Sequence, residues 1–295
     1  MPFQCNYNLR DTRLDAPAKK VLGKANEASS GLATLPLSKR DSAPLVHVIP
    51  HEQLHHHMVL PEKVDRRFRR IEKEFAARHR LAVHGLKPSH RILLYGPPGC
   101  GKSLGAERLA WNTGLPLHKV RFDTLLSSYF GETLANLRRL FDEAAKYPCA
   151  LLLDECDSLA RSRTEKNDVG EVNRITNALL EFLEAYRGEG LVIAATNLDS
   201  ALDNALFRRF DEVIRIPPPS TSEIAKLLEA TLSAIPTERH IDWASFASQL
   251  DGLSCSEVVQ IARSAAKNCV MEGGKEVSGH YLSEAAREYT SRIQN

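Results

Sequence analysis

The sequence predicts an α/β chain in which a five-stranded parallel sheet is flanked by helices and followed by a small all-α part. Three observations predict it. Short apolar runs alternate with helical patterns between about residues 91 and 216, three consecutive prolines follow at Pro217, Pro218 and Pro219, and beyond them only helical spacing recurs. Parallel neighbours need a crossover between them, so strands that alternate with helices imply a sheet covered on both faces.

Taken in order, residues 1–57 carry scattered Pro, Gly, Ser, Lys and Asp with no sustained period and read as a flexible leader. The histidines His47, His51, His55, His56 and His57 close that stretch, but no carboxylate or cysteine set completes a metal site around them. A large α/β domain is expected over 58–216. It opens with a basic helix over 62–80, in which Val64, Phe68, Ile71 and Phe75 form one apolar stripe and the interleaved Arg, Lys, Glu and Asp read as a solvated face. The runs RILLY, LHKVRF, ALLLD, LVIAAT and EVIRI supply the five strands. Val169, Val172, Ile175, Leu179 and Phe182 share one side of a helix between the third and fourth of these. The helical remainder, 217–295, is expected to hold helices near 222–232, 242–250, 254–271 and 280–293, two of them opened by the capping boxes Ser220 with Glu223 and Ser254 with Glu257.

Composition narrows the class of function. The 295 residues carry 39 basic and 37 acidic side chains, and a net charge of +2 gives no general reason to expect nucleic acid as the main ligand. No apolar run approaches the roughly 18 residues of a membrane span, and the start MPFQCNYNLRDTR lacks the apolar core of a signal peptide, so a cytoplasmic address is expected. The six cysteines form no CxxC pair and read as reduced thiols.

The chemistry is concentrated in two places. RILLY runs into Gly96-Pro97-Pro98-Gly99-Cys100-Gly101-Lys102-Ser103, which matches the phosphate-binding pattern G-x-x-x-x-G-K-[ST] throughout. Glycines let the backbone curl so that successive N–H groups face phosphate oxygens, and the helix that starts near Lys102 adds its positive end. Lys102 is expected to reach the β and γ phosphates of ATP and Ser103 to place its hydroxyl on Mg²⁺, with Leu104 completing the nucleotide contacts. The second place is the strand Ala150–Leu153, which ends in Asp154 and Glu155. A buried strand that ends in acid sets Asp154 at the carboxyl edge of the sheet, where it holds Mg²⁺ through water, and leaves Glu155 to polarise the attacking water. Together these are the parts of a P-loop NTPase.

On these residues the chain resembles the AAA ATPases, in the branch of katanin and spastin, over about residues 58–290. The resemblance implies further roles. LVIAATN, residues 191–197, is similar to the strand that carries the sensor-1 residue, so Asn197 would help to orient water at the γ phosphate. Residues 202–211 resemble the second region of homology, whose arginines, here Arg208 and Arg209, would enter a neighbouring subunit's site. The segment 251–257 is similar to the part of the helical lid that touches nucleotide, with Cys255 where many members have Gly. Tyr129, Phe130 and Gly131 resemble the loop that lines a central pore and grips substrate, ahead of a helix beginning near Thr133, and 161–172 resembles a second loop facing that channel. Where the family carries an N-terminal substrate domain, the irregular leader and the basic helix are expected to stand here. The resemblance therefore implies a homo-hexameric ATPase that remodels a protein substrate or co-encoded effector. The rivals are an ATP-dependent binding switch and a DNA remodeller; the aromatic pair argues against the first and the near-neutral charge against the second.

Overall fold

The computed structural model describes residues 44–122, 125, 130–155, 169–197 and 207–293. Among these residues six strands, not five, form one sheet: β1 (Val46–Ile49), β2 (Arg91–Tyr95), β3 (Leu117–Val120), β4 (Ala150–Leu153), β5 (Leu191–Thr196) and β6 (Glu212–Arg215), in the order β1-β3-β4-β5-β2-β6. The extra strand lies in the stretch read as leader. β1 runs antiparallel to β3, with Val46 opposite Val120 and Ile49 opposite Leu117, while the other five strands are parallel. Leu45 and Val46 bury against the core. A flexible leader over 1–57 is thus corrected for its last part, since 46–53 hold a strand and a 3₁₀ turn. The burial of two side chains and a pairing made about seventy residues away order this segment, and neither is visible in local periodicity.

Side-chain alternation distributes the strands between two cores. Ile92, Leu94, Leu152, Ile193 and Ala195 face α1 (Glu62–Ala76) and, after the short α2 (Arg78–Val83), α3 (Lys102–Thr113). Leu93, Leu151, Leu153, Val192 and Ala194 face α4 (Phe130–Lys146) and α5 (Val169–Ala185). β4 and β5 are buried along their whole length, as befits central parallel strands.

The predicted apolar stripe Val64, Phe68, Ile71 and Phe75 is the buried face of α1. Its helix ends at Ala76 instead of running to 80. Past Phe75 the stripe has nothing left to bury, and Arg78 folds back, donating to the Phe75 carbonyl at 3.1 Å with its guanidinium 4.7 Å over the Phe75 ring. The polar residues of α1 are not all a solvated face. Asp65 and Glu72 hold Arg108 of α3 at 2.8 and 3.3 Å, and Arg67 donates to the Val213 carbonyl on the outer edge of β6 at 2.7 Å.

Beyond β6, four helices, α6 (Thr221–Leu232), α7 (Trp243–Gln249), α8 (Cys255–Met271) and α9 (Gly279–Ile293), enclose a hydrophobic core of their own around Ile224, Leu228, Val258, Ile261 and Leu282. Both predicted capping boxes are formed, and Asp242 caps α7 by accepting from the Ser245 N–H at 3.0 Å.

One buried group sets an acid limit. His118 on β3 is 2% exposed and its Nε2 has no hydrogen-bond partner, so burial lowers its pKa to about 4. The unfolded chain takes up this proton near pH 6.5 and the folded one near 4, so the stability it contributes is complete above pH 6.5 and is lost as pH falls through that window. The loss is on the order of 3 kcal/mol. Denaturant unfolding at stepped pH is expected to show this slope, and His118→Leu to flatten it; equal slopes in both proteins would acquit His118.

Candidate nucleotide site

The loop 96–101 connects β2 to α3, and its conformation depends on glycine at two tight places. Gly96 has φ +137°, and a Cβ there would stand 2.2 Å from the Ile216 carbonyl oxygen. Gly99 has φ +73°, and its Cβ would meet the hydroxyls of Ser256 and Ser254 at 2.4 and 2.7 Å. Those serines belong to the start of α8, whose Ser256 N–H donates to the Gly99 carbonyl at 3.0 Å. The C-terminal helices are therefore fastened directly to the loop.

β2, β5 and β4 are neighbours, so the loop after β2, Asn197 after β5 and Asp154 after β4 come together at one carboxyl edge. They line a cavity of about 330 Å³ with Pro98, Gly99, Gly101, Lys102, Ser103, Leu104, Glu155 and Ser256. Lys102 opens α3, is buried, and donates to the Gly96 and Pro97 carbonyls at 2.8 and 2.7 Å. Ser103 Oγ donates to Asp154 Oδ2 at 2.9 Å. Glu155 donates its N–H to Asp154 Oδ1 at 3.1 Å and has φ +55°, the sole positive φ at a non-glycine among the described residues. A left-handed conformation costs such a residue about 1–2 kcal/mol, and strain of this kind collects where a side chain must be aimed. A hydroxyl and a carboxylate in contact, beside a buried lysine and a helix N-terminus, are the donor set that fits a triphosphate with Mg²⁺. Cys100 and Cys255 sit where loop and α8 meet, and burial raises both thiols, Cys255 to about 11.

The structure does not bring the two arginines to this cavity. Arg208 and Arg209 lie four and three residues before the start of β6, which is parallel to β2, so they lie at the amino edge of the sheet, opposite the loop. Arg208 is exposed, and Arg209 pairs with Glu184 of α5 at 2.9 Å. Of the predicted pore residues, Tyr129 lies outside the described residues, as do 161–168 of the second loop. Phe130 and Gly131 begin α4, three residues ahead of the expected start near Thr133. Thr133 is instead buried inside the first turn, its hydroxyl donating to the Leu125 carbonyl at 3.1 Å. Two contributors were missed by sequence reasoning: Lys119, whose ammonium is 2.7 Å from Asp154 Oδ2, and the buried Thr196 beside Asn197, whereas Ser256 lies within 251–257, the segment expected to touch nucleotide. Lys119 reads as an ordinary polar position of a strand, and only the register reveals its target.

The histidine cluster has a packing role. His51 and His56 stack on Trp111 of α3 at 4.3 and 4.2 Å between ring centres, His51 Nε2 donates to the Trp111 carbonyl at 2.9 Å, and His55 meets Glu107 at 2.9 Å. They strap 51–57 along the helix that follows the phosphate loop.

Comparison with known proteins agrees with this geometry. Residues 92–218 match the family described as "ATPase family associated with various cellular activities (AAA)". An uncharacterized AAA family ATPase, y4kL, of Sinorhizobium fredii (strain NBRC 101917 / NGR234) is 39% identical over 222 residues, covering 75% of this chain and 67% of that protein. Among the described residues no helix is long and apolar enough to cross a membrane. With the phosphate loop, the acid-tipped strand and the polar residue after β5 converging on one cavity, the chain belongs to the AAA family of ATPases.

Proposed function

We propose that this chain binds ATP with Mg²⁺, hydrolyses it, and works as one subunit of a ring, a homo-hexamer, that pulls on or prises apart a protein partner. The observation that carries the reading is the contact of Ser103 with Asp154 inside a cavity that also holds Lys102, Glu155 and Asn197. Mg²⁺ would supply charge neutralisation on the phosphates. Ser103 and Asp154, in contact with each other, would hold that ion. Lys102 swings from the Gly96 and Pro97 carbonyls to the β and γ phosphates, exchanging neutral acceptors for charged ones. Glu155 accepts a hydrogen bond from the attacking water, and Asn197 holds that water against the γ phosphate. Arg208 and Arg209 stand too far around the sheet to serve their own cavity, which supports their use at the site of a neighbouring copy. The helical part, 217–295, acts as a lid whose α8 reports on the loop through Ser256.

Tyr129 and Phe130 carry the protein-threading half of the proposal. Aromatic faces grip an extended chain with little sequence preference because they bury area without requiring particular hydrogen-bond partners. Tyr129→Ala with Phe130→Ala is expected to keep basal ATPase within a few-fold of the wild type while losing stimulation by a permanently unfolded polypeptide. If the rings are core instead, each costs about 3–5 kcal/mol and the melting temperature falls. Phosphate release, with and without the polypeptide, and thermal melting on one preparation decide between them; a folded double variant that is still stimulated leaves only an ATP-dependent binding switch.

A further inference from the structure

Two side chains draw on the single negative charge of Asp154, besides the Glu155 N–H on Oδ1. Ser103 Oγ and Lys119 Nζ both reach Oδ2, at 2.9 and 2.7 Å. The arrangement follows from register. Lys119 on β3 stands opposite Leu152 on β4, and Asp154, two residues beyond, is its diagonal neighbour on the same face of the sheet. That face carries Leu152 toward α3, which presents Ser103, so strand alternation aims lysine, aspartate and serine at one point. The lysine side chain is 43% exposed and the aspartate 12%, which leaves the ammonium partly solvated and the carboxylate almost dry. No step assigned above uses the Lys119 ammonium.

We propose that Lys119 is a positioning residue of the nucleotide site, holding the Asp154 carboxylate toward Ser103 and setting how tightly the site takes Mg²⁺. The inference rests on the ATP·Mg²⁺ reading. With Lys119 present, ammonium and carboxylate nearly cancel, and a divalent ion approaching Ser103 meets little net charge from the pair. With a neutral side chain at 119 the same ion meets an undivided carboxylate. Like charges a few ångströms apart repel strongly in a dry site, but partial exposure of the lysine lets water and salt screen the term. The effect is therefore several-fold. Lys119 makes the site less greedy for the metal and fixes which way the carboxylate faces.

Mg²⁺ titration of the full chain, in the presence of a non-hydrolysable ATP analogue and followed by displacement of a fluorescent nucleotide, tests the proposal. Lys119→Met is expected to reach half-saturation at a Mg²⁺ concentration about 3- to 10-fold lower than the wild type, and Lys119→Arg, which keeps the charge, to behave as the wild type. A Met variant whose Mg²⁺ requirement is unchanged or higher overturns the proposal. A merely structural lysine lowers the melting temperature of the Met variant without moving its Mg²⁺ curve, so melting is read on the same preparations. Should the Met variant fail to fold, Lys119→Gln makes the same comparison. A wild type that binds no nucleotide at any Mg²⁺ concentration fails the ATP reading itself, whereas wild-type binding with superimposable curves for all variants fails this inference alone.

Discussion

Arg209→Ala is expected to lower ATP turnover by about 10³- to 10⁵-fold, the range for removal of an arginine finger, equivalent to roughly 4–7 kcal/mol of barrier. Folding should survive the change. The ion pair of Arg209 with Glu184 involves a glutamate side chain that is 54% exposed, and pairs of that kind contribute only about 0.2–1 kcal/mol. A loss of rate without a loss of stability separates a catalytic arginine from a structural one. Because the arginine lies at the amino edge of the sheet and the phosphate loop at the carboxyl edge, the deficit should be repairable by another molecule. Mixing inactive Arg209→Ala with inactive Glu155→Gln should restore part of the activity, since one partner brings the finger and the other an intact site. Specific activity of the wild type should also climb steeply with protein concentration. A rate independent of concentration, from a strict monomer, rules out the ring.

The second large effect is expected at Glu155. Glu155→Gln keeps the shape and the hydrogen-bonding reach of the side chain but removes the carboxylate proposed to polarise water, so ATP should still bind while hydrolysis falls about 10²- to 10⁴-fold. Lys102→Ala should instead lose binding, because the buried ammonium is the cation aimed into the loop. Calorimetric titration with ATP beside a phosphate-release assay distinguishes the two. Full turnover by Glu155→Gln would remove the role assigned to the carboxylate. The same variant, if it holds ATP without splitting it, is the form in which to capture the proposed protein partner.

The parallel sheet and its nucleotide edge were legible in the sequence because their signals are local. RILLY flows into an unbroken phosphate-loop pattern, and ALLLDE states both the burial of a strand and the acid at its tip. The capping boxes at Ser220 and Ser254 likewise announce helix starts within four residues of chain. What escaped was set by distant partners. VHVI is only four residues long, and it becomes a strand because β3 offers an edge and the core accepts Leu45 and Val46. The histidines formed no metal set in the sequence and suggested no other role, and a tryptophan some sixty residues away gives His51 and His56 two stacking faces. Lys119 is the sharpest case, since its meaning depends on one register pair across β3 and β4. The Arg208 and Arg209 assignment came from resemblance, and geometry adds only that their own cavity is out of reach.

The clasp between Ser256 and Gly99 has a mechanical consequence. α8 begins at the phosphate loop and runs for 17 residues, or about 25 Å, to Met271. A helix of that length is a stiff lever arm, and a tilt of about 5° at its loop end carries the far end through about 2 Å. The tip is apolar and bare, with Val270 62% and Met271 82% exposed. On the proposed function, a small rearrangement of backbone around a phosphate would thereby be multiplied into a stroke at a surface that another molecule can touch.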